Sequence, residues 1–141
     1  MSQEDWQGSN SNAIWQRQKG NLSEAIRLMD EAIKAAVNAQ VSQPRTAMLY
    51  NYLADIHIEN NDFGSARRTI EQALSVSQSL QNICHGDNLL MLSDILVNQE
   101  DYEGALKAAN DAKVVFQRNE HSHGVQRAAE KVNFIEVKSD G

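Results

Sequence analysis

This sequence predicts an all-α fold, a solenoid of stacked helical hairpins, on three observations. The 141 residues hold one proline and seven glycines, whereas a sandwich or barrel needs a turn signal about every 8–12 residues. Alanine occurs 16 times while aromatics supply only 6% of the chain, so the core is built from small residues and implies closely packed helices. The third observation is an internal repeat. Polar, Asn or Asp, large apolar, two spacers, Ala, and a second Ala seven residues on: this frame recurs from Gly20, Asn61 and Glu100. Its first alanines, Ala25, Ala66 and Ala105, are 41 and 39 residues apart.

The elements follow in order. Residues from about Asp5 to Lys19 form a first inner helix, polar and interrupted by Gly8. Next comes an amphipathic helix carrying Leu22, Ala25, Ile26, Met29, Ala32, Ile33, Ala36 and Val37 at helical spacing. Its counterparts carry Phe63, Ala66, Ile70, Ala73 and Leu74, and then Tyr102, Ala105, Leu106, Ala109, Ala112, Val115 and Phe116. Asn21, Asp62 and Asp101 precede these three runs, where a short polar side chain can cap free backbone N–H groups. The paired alanines let neighbouring helices approach, since larger side chains would force the interface apart.

Between these outer helices lie inner ones that are apolar on most sides, as a helix wedged between two others must be. Leu49, Tyr50, Leu53, Ala54, Ile56 and His57 mark the second inner helix, with Pro44 tolerated in its opening turn. Leu89, Leu90, Met91, Leu92, Ser93, Ile95, Leu96 and Val97 mark the next. After a loop at Glu120–Gly124, Val125, Ala128, Ala129 and Val132 form a terminal capping helix. Gln126, Arg127, Glu130 and Lys131 supply its solvated side, and Lys138–Gly141 form a frayed tail. One domain, 1–141, is expected, with repeats at about 5–41, 44–81 and 84–119 and a cap at about 124–136.

Composition narrows the function. With 13 basic against 19 acidic residues the formal charge is −6 and the pI is near 5.1. That sign opposes nonspecific binding to nucleic acid or an anionic membrane surface. A single cysteine, Cys84, cannot form an internal disulfide. The N-terminus Met1–Trp6 lacks the basic and apolar regions of a secretory signal, so the expected location is the cytoplasm. Cys84-His85 and His121-x-His123 each lie in or beside a loop, and their histidines read as solvated and not as metal ligands. No Gly-rich phosphate loop and no activated nucleophile is apparent, so no cofactor, metal or catalytic residue is expected. His57, beside Asp55 and Glu59, reads as a packed inner-helix histidine.

The repeated frame resembles the tetratricopeptide repeat (TPR). Ala13, Ala54 and Ser93 match its small residue in the first helix, and Phe63 and Tyr102 match the aromatic that opens the second. The resemblance covers about Asn10 to Phe116. The period is similar to that of the longer-helix subgroup, which includes kinesin light chain, spindle-orienting adaptors and peptide-pheromone regulators of Gram-positive bacteria. Two departures stand out. The usual glycine after the first helix survives only as Gly20, with Asn61 and Glu100 in its place later, and the Trp–Leu–Gly signature is largely absent.

What the resemblance implies is a non-enzymatic module that binds a peptide or helical segment in a concave groove lined by the first helices. The family's contact positions fall on Asn10, Ile14 and Arg17; on Asn51, Tyr52, Asp55, Ile58 and Glu59; and on Leu90, Met91, Asp94, Val97 and Asn98. Asn51 matches an asparagine that in many members bonds the backbone of an extended peptide. Only Arg17 is basic among these positions, which disfavours an acidic chaperone tail. An apolar strip edged by Asp55, Glu59 and Asp94 suits a basic or amphipathic segment. The alternative is that Leu90, Met91 and Val97 pack against the cap or a second copy. Rival functions are a self-assembling scaffold, or a small chaperone-like or peptide-sensing regulator.

Overall fold

Seven helices, α1 (Gln3–Gln18), α2 (Leu22–Asn38), α3 (Gln43–Glu59), α4 (Phe63–Ser77), α5 (Ile83–Asn98), α6 (Tyr102–Arg118) and α7 (Ser122–Asp140), make up the described residues of the computed structural model. These are residues 3–140, with side chains from Trp6 onward. The expectations for Met1, Ser2 and Gly141 fall outside them. The chain divides within α4 into two units, residues 1–73 and 74–141.

In the first unit α2 packs against both α1 and α3. Its buried stripe, Ala25, Met29, Ala32, Ile33, Ala35 and Ala36, meets Trp6 and Ala13 of α1 and Leu49, Leu53 and Ile56 of α3 in one core. On the outer face of α2, Arg27 pairs with Glu24 and Glu31. In the second unit α6 packs against α5 and α7. One core joins Leu90, Ala112, Phe116 and Ala128, and another joins Leu96, Ala105, Ala109 and Ile135. Ala13, Ala54 and Ser93, the small inner-helix positions, are all fully buried. Ser93 adds a bond of its own: its Oγ donates to the Ala105 carbonyl at 2.8 Å.

The helix ends refine the sequence reading. Gly20 is left-handed at φ 85°, and Asn61 and Glu100 adopt the same region at 58° and 61°. The backbone turn that favours glycine therefore persists without it. Asp101 accepts from the Gly104 N–H at 2.9 Å and Asp62 from the Ser65 N–H at 3.1 Å, both as caps. Asn21 does not cap α2; its side-chain amide donates to Gln16 Oε1 instead. The loop expected over Glu120–Gly124 is shorter, because α7 begins at Ser122, and the tail expected to fray remains helical to Asp140.

Candidate partner-binding site

In the first unit four of the expected contact residues converge. Arg17, in the last turn of α1, donates from Nη2 to Asp55 Oδ2 at 2.9 Å and from Nε to Glu59 Oε1 at 2.8 Å. Its guanidinium lies 5.0 Å from the centre of the Tyr52 ring. The one-turn spacing of Asp55 and Glu59 on α3 puts both carboxylates on one face, where a planar fork can meet them together. Burial alone would weaken the charge on Arg17, but hydrogen bonding with Glu59, Asp55 and Tyr52 outweighs it and holds the guanidinium charged. Asn10, Ile14, Asn51 and Ile58 are half-buried on the same two helices.

In the second unit an open cleft of about 390 Å³ is lined by Leu90 and Asp94 of α5 and by Arg127, Glu130, Lys131 and Phe134 of α7. Leu90 forms its floor and is only 7% exposed, committed to the core with Phe116 and Ala128. Phe134 forms its wall and is 51% exposed. Asp94 pairs with Lys131, and Asp87 with Arg127. The cleft thus combines apolar surface with balanced charges. Val97 packs against the Leu96–Ile135 core, Met91 is half-buried, and Asn98 is exposed with its amide donating to the Asp94 carbonyl.

The expected acidic edge is accordingly neutralised within the protein: Asp55 and Glu59 by Arg17, Asp94 by Lys131. A second correction concerns His85, expected as a solvated histidine in or beside a loop. Cys84 and His85 lie in the first turn of α5, and His85 is buried. Its Nδ1 meets Ser77 Oγ at 2.7 Å, and Asn88 Nδ2 donates to the same hydroxyl at 3.1 Å. Burial pulls His85 below its ordinary pKa against the opposing charge of Asp111. It also pushes the Cys84 thiol up, as does Asp87, away from nucleophile character. His57 is likewise lowered by burial, opposed by Asp62 and Asp30.

A family model for the MalT-like TPR region matches residues 10–138. The chain belongs to that family. No curated protein sequence matches this TPR chain. Among solved structures it is similar to a type III secretion (T3SS) complex from Aeromonas hydrophila, with a TM-score of 0.77 and 15% identity over 97% of this chain and 84% of that one. The N-terminal domain of stress-induced protein-1 (STI-1) from C. elegans matches at 0.72 and 15%, covering 92% and 95% of the two chains. A putative kinesin light chain from Podosopora anserina with TPR-like repeats matches at 0.69 and 13%, covering 95% and 74%. At these identities the likeness is one of fold.

Against the TPR frame, the residues that sequence reasoning missed are those of α7. Arg127 and Lys131, expected on the solvated side of the cap, do reach solvent at 44% and 28% exposure, and with Phe134 they also line the cleft. Their i, i+4, i+7 spacing was legible as one helix face. What the sequence could not show was that this face turns toward α5. Ser77 continues the Ile70–Ala73 stripe and was legible as a small inward position, but its partnership with His85 and Asn88 was not. Among the described residues, no group of three His, Cys, Asp or Glu side chains could hold a metal ion, and no helix is long and apolar enough to cross a membrane.

Proposed function

We propose that this TPR chain is a non-enzymatic protein-interaction module that binds a peptide or helical segment on its inner helices, with the α5–α7 cleft as the principal anchor. TPR folds in general mediate contacts between proteins. The observation that carries the reading is Phe134, a half-exposed aromatic beside a preformed cleft whose polar rim is already paired. Aromatic side chains, phenylalanine included, are enriched at protein interfaces relative to the rest of the surface. Because the rim charges balance, the favoured partner is amphipathic, contributing an apolar side chain to the floor, and a purely basic segment fits less well. The acidic balance and lone cysteine fit a cytoplasmic setting.

The test is affinity purification with quantitative mass spectrometry on the wild type and Phe134→Ala. A partner recovered by the wild type is expected to fall at least about tenfold with Phe134→Ala, since anchors contribute upward of about 2 kcal/mol, while the melting temperature holds. Equal recovery by both chains, with loss on Trp15→Ala of the exposed Trp15 in α1, moves the interface away from the cleft. A second reading, self-association, is favoured by Val137, which is 75% exposed on α7 beyond Phe134. Sedimentation of Val137→Asp against the wild type tests it.

A further inference from the structure

The two carboxylates and the aromatic ring in the first unit form a constellation suited to a guanidinium, and Arg17 already fills it. We infer that this face is an arginine-recognition site held in a self-occupied state, so that a partner arginine binds only by displacing Arg17. The inference rests on the reading that the inner helices bind a protein segment, and it supplies a chemistry and a gate for the first unit.

Three features carry it. Asp55 and Glu59 accept from different nitrogens of one guanidinium, Nη2 at 2.9 Å and Nε at 2.8 Å, while Tyr52 lies against it. A planar fork satisfies this geometry, and a lysine ammonium does not reproduce it. The carboxylates remain 47% and 46% exposed, so a second cation can reach them from solvent, whereas Arg17 is only 19% exposed. Arg17 also stands in the last turn of α1, one residue before that helix ends. Its side chain can therefore swing aside without unwinding the helix, leaving two unpaired carboxylates and an open ring.

Exchanging one arginine for another leaves the local contacts almost unchanged, so competition is decided by concentration. Arg17 is tethered, and a tethered group acts at a millimolar effective concentration or above. A free arginine derivative therefore competes poorly. A partner succeeds only if contacts elsewhere offset the tether, which makes Arg17 a selectivity filter against isolated basic residues.

The probe is N-acetyl-arginine amide, followed by amide shifts over residues 52–59 in ¹H–¹⁵N spectra. The wild type should respond weakly. Arg17→Met keeps an unbranched apolar side chain on α1 and removes the fork; it should bind the probe at least about tenfold more tightly. Arg17→Gln is a second vacating variant, so the test survives if either substitution loosens α1. Adding Asp55→Asn and Glu59→Gln should abolish the response. N-acetyl-lysine amide should bind the vacated site more weakly than the arginine probe. Equal response in wild type and both variants, no response in folded variants, or equal response to lysine overturns the inference. Loss of partner binding on Phe134→Ala, with no arginine response in the vacated chains, overturns this inference alone and leaves the function reading standing.

Discussion

The ring of Phe116 occupies the space that a side chain on Gly86 would need: a Cβ built there would lie 2.7 Å from Cε1 and Cζ. A Cβ built on Gly124 of α7 would crowd the same ring more closely still. Phe116 is fully buried between them. Two glycines on neighbouring helices thus seat the largest side chain of the second unit's core, and neither is needed for a turn.

Gly86→Ala is expected to destabilise the protein by about 1–3 kcal/mol, because the enclosed ring cannot retreat from an added methyl. Gly124→Ala should act in the same direction. Gly8→Ala is the control: nothing lies within 4 Å of its Cβ position, so helix propensity should raise stability by up to about 1 kcal/mol. Chemical unfolding midpoints for the three variants check the ranking.

The caps predict a contrast between positions that look alike in the sequence. Asp101→Ala removes an observed bond to the Gly104 N–H and should cost about 1 kcal/mol. Asn21→Ala removes no cap and should cost less than half as much. Equal losses in thermal melts would show that Asn21 caps α2 after all.

His85 gives the pH dependence a sign. Its pKa in the folded protein lies below the ordinary 6.5 because of burial, so the unfolded chain binds more protons on acidification. Stability is then complete above about pH 6.5 and falls as the pH drops below it toward the folded value. His57 contributes in the same direction. The melting temperature should be lower at pH 5.5 than at 7.5, and His85→Gln should flatten part of that slope. A slope unchanged by His85→Gln would assign the effect elsewhere.

In α7 two adjacent apolar residues should separate folding from binding. Ile135 is buried against Leu96, Ala105 and Ala109, so Ile135→Ala should cost about 2–5 kcal/mol. Phe134→Ala should leave the melting temperature within about a degree or two, since surface substitutions stay within about 0.5 kcal/mol. Differential scanning calorimetry on both variants decides.

Sequence periodicity determined which segments are helices and most of the faces they bury, because a 3.6-residue stripe must find apolar company wherever it lies. Val37, at the end of the α2 stripe and 51% exposed, and Trp6, buried on the polar α1, are the exceptions. The alanine frame, the small inner positions at Ala13, Ala54 and Ser93, and the terminal stripe through Ala128 were all legible on that basis. Partnerships between residues about 40 positions apart were not. Arg17 could be read as a lone cation on an inner helix, but not as the counter-ion of Asp55 and Glu59. Lys131 could be read as a polar position on the cap, but not as the partner of Asp94. Hydrophobic burial is non-directional and repeats along one chain segment, so it leaves a one-dimensional trace. Ion pairs, hydrogen bonds and the fit of a ring onto two glycines depend on the distance and angle between separate helices. Only the tertiary packing sets those, and with them the charge and shape of the surfaces a partner would meet.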